Sequence, residues 1–427
     1  MTTAPDSTPT PQGTTASRAT PAHHGTPVPE ARAASPATPP HLPESHKARQ
    51  FTESVIRRMT RLADATGAIN LAQGFPDVDP PDALKQAAVQ AIQGGFNQYA
   101  TTFGDEALRR ALSAHYARLG LDFDPETEVT VTCGATEAMV ATIFALVDPG
   151  DEVVVFEPFY ENYGPAAILT GARPRYVRLQ MPEDPDGPWW FDPQELESAF
   201  SPATRAVIVN TPHNPTGKVF TRAELQQIAD LACRYDAWVL TDEIYEHILY
   251  DGREHVRMAT LPGMRERTVT VSGASKTFSV TGWRVGWAIA PPQATQAIRK
   301  VHDFLTVGAP APLQQALSHA LGWGPGYTRE LAASYAGRRR VLLEGLRSLG
   351  WAAYRPQGAY YLLVDASPLG SDDVAIAERL VREAGVATVP GSSFYHSRPP
   401  RPFLRFAFAR SEATLKEALR RLHAAYG

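Results

Sequence analysis

Short apolar runs alternate with helical stretches between residues 128 and 290 of this 427-residue chain. The runs are rich in Val, Ile and Thr and are bounded by turn residues, as β-strands are. Strands that alternate with helices form a largely parallel sheet that is covered on both faces. The sequence therefore predicts an α/β fold whose main sheet has seven strands, at residues 128–132, 152–156, 173–179, 205–210, 238–242, 268–272 and 286–290.

The composition divides the chain into four parts. Residues 1–46 are mainly Pro, Thr, Ala and Ser, which predicts a disordered tail because little there can pack. Residues 47–73 include an amphipathic stretch, 51–65, and are predicted to be an N-terminal arm that joins the smaller domain. Residues 74–309 are predicted to form the large domain, and residues 310–427 a smaller α+β domain.

Charge and cysteine content exclude several classes of protein. The net charge of −4 gives no basic surface for nucleic acid. No apolar stretch is long enough to span a bilayer. The two cysteines, Cys133 and Cys233, do not make a disulfide framework and favour a reducing compartment. We expect a cytoplasmic protein without a nucleic-acid partner, a membrane partner or a bound metal.

Lys276 follows the predicted strand 268–272 in a turn of small and hydroxyl residues. An amine in a partly apolar turn loses hydration, which lowers its pKa and makes it a plausible Schiff-base amine. Arg284, eight positions later, has a fork of donors that suits a phosphate. Aldehyde chemistry beside a phosphate suggests pyridoxal phosphate. The alternative is an ordinary hairpin with a solvated Lys and Arg.

In open α/β sheets, ligands bind outside the carboxyl ends of the strands. The residues that follow the other predicted strands are therefore candidates for a ligand site. Residues 134–136 (Gly-Ala-Thr) open a helix whose free amides favour an anion. Asn214 lies in a rigid Pro-rich loop, where a structural turn is the alternative. Asp242 ends the fifth strand, with Tyr245 three residues on. A buried carboxylate needs a cation, and a protonated pyridine nitrogen is one.

Seven motifs occur in a fixed order over nearly everything after residue 51. They are Gly-Phe-Pro-Asp at 74–77, Asn-Gln-Tyr at 97–99, Gly-Ala-Thr-Glu-Ala at 134–138, Glu-Pro-Phe-Tyr at 157–160, Thr-Pro-His-Asn-Pro-Thr-Gly-Lys at 211–218, Asp242 with Tyr245, and Ser-Lys-Thr-Phe…Thr-Gly-Trp-Arg at 275–284. Together they resemble the pyridoxal-phosphate aminotransferases of fold type I, class I/II. The resemblance is to the branch of kynurenine, glutamine, methionine and N-succinyldiaminopimelate aminotransferases.

The resemblance implies how the coenzyme ring is held. Lys276 carries the Schiff base and moves a proton between the substrate Cα and the coenzyme C4′. Asp242 keeps the pyridine nitrogen protonated, and Asn214 and Tyr245 bind the phenolic oxygen. Tyr160 stacks on the ring.

The resemblance also implies a phosphate site and a homodimer with shared active sites. Ala135, Thr136 and Arg284 hold the phosphate, and Gly134 and Ser275 also belong to the coenzyme site. Tyr99 reaches the phosphate of the neighbouring subunit. One position departs from the pattern, because Gly273 stands where many relatives have a phosphate-binding Ser. Either Ser272 or Ser275 substitutes for it, or the site loses a hydroxyl.

Arg405 is predicted to bind the substrate α-carboxylate. It lies in an alternating apolar run, residues 403–408, where an unpaired charge is costly. A carboxylate is a natural bidentate partner, and a structural ion pair is the alternative. The resemblance places Asn214 beside this carboxylate, and Gly74 lets the backbone approach it.

The predicted reaction is transamination between an L-amino acid and a 2-oxo acid. Two alternatives on the same scaffold are β-elimination from cysteine S-conjugates and a specific role as N-succinyldiaminopimelate aminotransferase. A regulator with a DNA-binding module is disfavoured, because the N-terminal segment lacks the apolar periodicity of a winged helix.

The substrate pocket is predicted to be roomy. Residues 306–314, which correspond to a stretch that enters the neighbouring site in relatives, have no aromatic side chain. This favours donors such as methionine, glutamine or an acylated diamino acid, unless Phe51, Phe75 or Tyr160 supply aromatic walls. Lys218, Asp303 and the histidines are predicted to be ordinary surface or loop groups.

Overall fold

The computed structural model describes residues 44–427. The predicted disordered tail, 1–46, therefore lies outside the described residues except for its last three. No helix within residues 44–427 combines the length and apolar character needed to cross a membrane.

The described chain contains β-strands and α-helices, together with a few short 3-10 helices. The strands are β1 Ile69–Asn70, β2 Val129–Thr132, β3 Glu152–Glu157, β4 Arg173–Gln180, β5 Trp190–Phe191, β6 Thr204–Asn210, β7 Trp238–Asp242, β8 Thr268–Gly273, β9 Gly286–Ile289, β10 Tyr361–Asp365, β11 Val386–Ala387, β12 Val389–Pro390 and β13 Phe403–Ala407. The helices are α1 Val55–Thr66, α2 Asp82–Gln93, α3 Glu106–Ala117, α4 Ala135–Leu146, α5 Tyr163–Thr170, α6 Pro193–Ala199, α7 Arg222–Arg234, α8 Ala274–Thr277, α9 Pro292–Leu305, α10 Ala311–Ala320, α11 Pro325–Ser348, α12 Asp373–Ala384 and α13 Glu412–Tyr426.

The main sheet has the strand order β2-β9-β8-β7-β6-β3-β4-β5. Its central pairs, from β8 to β4, are parallel, and the outer pairs are antiparallel. All seven predicted strands are present, and the structure adds an eighth, β5, at the edge. That strand has two residues, too few to show the alternation by which a strand is recognised.

Both faces of this sheet are buried, as predicted. In β6, Ala206 and Ile208 pack on the face covered by α4, α5 and α9. Val207 and Val209 pack on the opposite face, where α7 lies. A capping box starts α7: the Thr221 and Glu224 side chains each accept a hydrogen bond from the other residue's backbone amide.

The sheet register brings the functional strand ends together. Asn210 pairs with Asp242 at the ends of β6 and β7, and Asp242 pairs with Val271 near the end of β8. The predicted groups that follow these strands therefore open onto one edge of the sheet.

Residues near both ends of the described chain form a second assembly. Strands β10, β13 and β12 make an antiparallel sheet, and β1 pairs with β11 in parallel. The predicted N-terminal helix begins at Val55 and not at residue 51, because the Ser54 side chain accepts a hydrogen bond from the Arg57 amide and caps the helix there. The domain boundaries themselves remain predictions.

The prediction that Lys218 and the histidines are ordinary surface or loop groups is wrong for His302, which is buried within α9. Lys218 and His213 do lie in a loop, but both are buried there. Lys218 is 2% exposed, and its Nζ donates to the Trp189 carbonyl and to Glu224, both at 2.6 Å. His213 is also buried. His302 is buried between the Glu137 carboxylate and the Thr102 carbonyl. Some of their partners are distant in sequence, such as Trp189 for Lys218 and Glu137 for His302, so residue type alone does not reveal their burial.

Candidate active site

A cavity of about 460 Å³ opens at the carboxyl ends of the central strands. It brings together most of the predicted site residues: Gly74, Ala135, Thr136, Tyr160, Asn214, Asp242, Tyr245, Ser275, Lys276, Arg284 and Arg405. Gly134 is not among the lining residues, but it directly precedes Ala135, which is one of them. Tyr99 is not among the lining residues, and its side chain is 88% exposed.

Lys276 lies in the short helix α8, directly after β8. Its Nζ donates a hydrogen bond to the Gly74 carbonyl at 3.0 Å and faces the cavity. Burial lowers the pKa of the Lys276 ammonium to about 8, and the positive charges of Arg284 and Arg405 act in the same direction. The lowered pKa agrees with the sequence expectation, and it leaves about a tenth of the amine in its neutral, nucleophilic form at pH 7, far more than for a solvated lysine.

Asp242 ends β7 as a buried carboxylate. Its Oδ2 accepts a hydrogen bond from the Tyr163 hydroxyl at 2.6 Å, and its Oδ1 accepts one from the Ile244 amide at 3.2 Å. Burial raises the pKa of Asp242, while the bond from Tyr163 opposes that rise. No ion pair with a described residue neutralises this carboxylate, so the site has room for a cation from a ligand.

The turn between β2 and α4 forms an anion site. No side chain caps the N-terminus of α4, which leaves backbone amides free there. Arg284 lies against Gly134, where a Cβ would be 2.3 Å from its Nη2. The guanidinium is held by the Cys133 and Thr281 carbonyls. Only glycine at residue 134 leaves space for this cation beside the helix terminus.

The departure at Gly273 has a local explanation. A Cβ there would lie 3.0 Å from the Val285 carbonyl oxygen, so the position is crowded. The Ser272 hydroxyl is buried and donates to Glu246 at 2.8 Å. Of the two candidate substitutes, only Ser275 lines the cavity.

Arg405 is 1% exposed within β13. Its Nη1 donates to Asn214 Oδ1 at 2.9 Å, and its Nη2 donates to the Ala72 carbonyl at 2.7 Å. Its Nε has no partner among the described residues. The rings of Tyr361 and Phe394 lie 4.2 and 4.8 Å from the guanidinium carbon. A cation without a carboxylate partner, at the wall of a cavity, suits a carboxylate ligand.

Sequence reasoning missed three tyrosines at this site. Tyr163 bonds Asp242, Tyr361 bonds Tyr245, and the Tyr360 hydroxyl donates to the Gly74 carbonyl at 2.8 Å. For Tyr163 a signal exists in the sequence: it stands only three residues after Tyr160, which is a predicted site residue. Tyr360 and Tyr361 carry no such signal, because their partners are distant in the chain.

The structure also gives Gly74 a specific constraint. A Cβ at Gly74 would lie 1.7 Å from the Tyr361 hydroxyl, so no larger residue fits.

Among the aromatic residues considered for the pocket walls, Phe75 and Tyr160 line the cavity, and Phe51 does not. Residues 306–314 do not line the cavity of their own chain.

The donor set fits pyridoxal phosphate, which the sequence resemblance implies. Lys276 supplies an amine of lowered pKa for the aldehyde. The uncapped helix terminus with Arg284 suits the phosphate. The buried Asp242 carboxylate suits a protonated pyridine nitrogen. Three chemically different parts of one ligand thus find matching groups in one cavity.

Comparison with known proteins identifies the family. Residues 66–422 match the family model "Aminotransferase class I and II". The chain is 41% identical to the probable N-succinyldiaminopimelate aminotransferase of Mycobacterium tuberculosis (88% of this chain, 97% of the relative). It is 38% identical to the kynurenine–oxoglutarate transaminase of Dictyostelium discoideum (88% and 94%). The solved structure of N-succinyldiaminopimelate aminotransferase from M. tuberculosis superposes with a TM-score of 0.86, covering 90% of this chain and 100% of that one. The chain therefore belongs to the class I and II aminotransferases, which use pyridoxal 5′-phosphate.

Proposed function

We propose that this cavity is where an amino group passes between an L-amino acid and a 2-oxo acid, with Lys276 as the residue that binds the coenzyme and carries the proton. The observation that carries the proposal is the convergence of three groups on one cavity: the Lys276 amine, the Asp242 carboxylate and the Arg405 guanidinium. Each is buried or lies in the cavity wall, where its charge and hydrogen bonds act with little competition from water.

When bound, pyridoxal phosphate supplies an aldehyde that takes up the amino group and a ring that accepts electrons from the substrate Cα. Asp242 holds a proton at the pyridine nitrogen, and Tyr163 fixes the carboxylate in place. Arg405 binds the α-carboxylate and so orients Cα toward Lys276. With a pKa of about 8, the Lys276 amine can accept the Cα proton and return it near neutral pH.

The phosphate and the phenolic oxygen have their own partners in this proposal. Gly134, Ala135, Thr136, Ser275 and Arg284 hold the phosphate. Asn214 and Tyr245 bind the phenolic oxygen, and Tyr160 stacks on the ring. This is supported by the position of these groups around one cavity, which all of them line except Gly134, the residue before Ala135.

Reduction with borohydride tests the coenzyme linkage. The purified protein should be yellow, and reduction should fix the coenzyme to the peptide that contains Lys276. Lys276→Ala should abolish turnover, whereas the exposed Lys300→Ala serves as a matched control that keeps both colour and activity. Label on any other lysine would show that the assignment is wrong.

A second observation bears on the substrate. Arg57 lines the mouth of the cavity and forms no ion pair with a described residue. Two acidic residues of this region are engaged elsewhere: Glu53 pairs with Arg61, and Glu161 accepts a hydrogen bond from Ser54 at 2.5 Å. Arg57 is therefore available to a second carboxylate at the far end of a substrate. This favours acidic substrates such as glutamate, 2-oxoglutarate or N-succinyldiaminopimelate.

Arg57→Ala tests this preference. We expect a loss of roughly fivefold in kcat/KM for substrates with a second carboxylate, the size of an exposed ion pair worth about 1 kcal/mol. Methionine, which lacks that carboxylate, should be little affected. Arg61→Ala is the control, because Arg61 is on the same helix but is paired with Glu53. Equal losses for both classes of substrate would contradict the acidic-substrate preference.

The active unit is proposed to be a cytoplasmic homodimer with shared sites. Tyr99 and Phe304, 88% and 93% exposed, are large aromatic side chains that a second subunit can cover. Tyr99 would then reach the neighbouring phosphate. Both cysteines are free, which suits a reducing compartment.

A further inference from the structure

Tyr361 stands at a junction between two parts of the active site. It is the first residue of β10, is 3% exposed, and lines the cavity. Its hydroxyl lies 3.1 Å from the hydroxyl of Tyr245. Its ring packs against the Arg405 guanidinium, with 4.2 Å from the ring centre to the guanidinium carbon. One side chain thus contacts both the residue proposed for the phenolic oxygen and the residue proposed for the substrate carboxylate.

The position of the Tyr361 hydroxyl is closely fixed. It lies directly against Gly74, where any Cβ would collide with it. The Gly74 carbonyl in turn accepts hydrogen bonds from Lys276 and Tyr360. The loop that carries Gly74 therefore confines the Tyr361 hydroxyl to the neighbourhood of Tyr245.

The hydrogen bond between the two tyrosines has one productive direction. Each hydroxyl has a single proton to donate. In the proposed function, Tyr245 donates its proton to the phenolic oxygen of the coenzyme, so its oxygen accepts from Tyr361. Successive hydrogen bonds polarise one another, and a donor that itself accepts a bond becomes a stronger donor. The chain from Tyr361 through Tyr245 therefore favours the deprotonated phenolic oxygen.

We propose that Tyr361 is a positioning residue that donates its hydroxyl proton to Tyr245 and thereby sets the pH range in which the lysine-bound coenzyme is reactive. The inference rests on the proposed function. The ring of Tyr361 supports Arg405, and its hydroxyl acts on the coenzyme through Tyr245. These two roles can be separated, because removing the hydroxyl leaves the ring in place.

Tyr361→Phe makes that separation. The measurement is the visible absorbance of the holoenzyme as a function of pH, which reports the pKa of the Schiff base with Lys276. We expect this pKa to rise by about 0.5 unit, a fraction of the shift that a full hydrogen bond produces. The KM for an amino donor should change by less than about twofold, because an aromatic ring still packs against Arg405.

The control is Tyr335→Phe. Tyr335 is a buried tyrosine that packs on Tyr360, and its hydroxyl is bonded to neither Tyr245 nor Tyr361. Tyr335→Phe also removes one tyrosine hydroxyl, but that hydroxyl is not bonded to Tyr245. Its absorbance titration should therefore match that of the unmodified enzyme. A shift as large as that of Tyr361→Phe would show that the effect is general to the tyrosine cluster and would overturn the proposal.

A double-mutant cycle with Tyr245→Phe tests whether Tyr361 acts through Tyr245. Once Tyr245 has lost its hydroxyl, Tyr361→Phe should add no further shift. If the two substitutions shift the Schiff-base pKa additively, Tyr361 does not act through Tyr245 and the proposal is overturned. If Tyr361→Phe folds poorly, a fluorinated tyrosine at residue 361, a stronger donor, should lower the Schiff-base pKa instead, and an unchanged pKa would contradict the proposal.

These outcomes distinguish the inference from the function on which it rests. A protein that never forms a coloured coenzyme complex contradicts the proposed function. A yellow holoenzyme whose titration does not respond to Tyr361→Phe contradicts only the role of Tyr361.

Discussion

Tyr163→Phe removes the hydrogen bond that fixes the Asp242 carboxylate. In the structure that bond is 2.6 Å long and buried, and only the Ile244 amide, at 3.2 Å, provides a second one. A hydrogen bond to a charged group contributes about 1.5–3 kcal/mol. Because each 1.36 kcal/mol is a factor of ten in rate, we expect kcat/KM to fall roughly 10- to 100-fold.

The direction of the pH effect follows from the same contact. Burial raises the pKa of Asp242, and the bond from Tyr163 lowers it. Without that bond the pKa rises further, so the carboxylate becomes protonated at a higher pH. The acidic limb of the kcat/KM profile should therefore move to higher pH in Tyr163→Phe.

The assay is the pH dependence of kcat/KM for one amino donor, measured for the unmodified enzyme and two variants. Tyr426→Phe is the matched control, because Tyr426 donates an equally short bond, 2.6 Å, to the exposed Glu383, far from the cavity. It should keep the original profile. A Tyr163→Phe enzyme with an unshifted acidic limb and normal turnover would refute the account of Asp242.

Three further results are expected. Asp242→Ala should reduce turnover by several orders of magnitude while the variant still folds, since it loses the partner of the pyridine nitrogen; near-normal turnover would contradict this role. Arg405→Lys should weaken amino acids and 2-oxo acids but not amines without a carboxylate, because a point charge cannot replace a bidentate fork; equal losses in both groups would make Arg405 structural. The ratio of kcat/KM for methionine or N-succinyldiaminopimelate over kynurenine or phenylalanine should exceed one, and a strong preference for the aromatic donors would refute the roomy pocket.

The sequence predicted those site residues whose charged or reactive side chains stand within or directly after an apolar strand. A carboxylate that ends an apolar strand, as Asp242 does, has few structural explanations. Lys276, after a buried strand, and Arg405, within one, also have few structural explanations, because a charge in an apolar setting requires a partner. The order of the motifs supplied the rest of the predicted set, and the cavity contains nearly all of it.

The parts that were missed depend on contacts between distant residues. Tyr361 and Tyr245 are 116 positions apart, and Lys218 is buried by the Trp189 carbonyl, 29 positions away. A tyrosine or a lysine in a loop or strand has many possible environments, so residue type does not select among them. The choice between Ser272 and Ser275 required side-chain directions, which only the fold determines.

The contacts that hold the Arg405 guanidinium in place have a consequence for which anions the site selects. Two hydrogen bonds and two aromatic rings already hold this guanidinium before any substrate arrives. An arginine otherwise loses about 1.5–2 kcal/mol of side-chain entropy when it becomes ordered, and here folding has already met that cost. The Arg405 guanidinium cannot move to accommodate a larger ligand without breaking its hydrogen bonds to Asn214 and Ala72. Planar carboxylates should therefore bind well, and bulkier tetrahedral anions such as phosphonates should be rejected by shape although they carry at least as much negative charge.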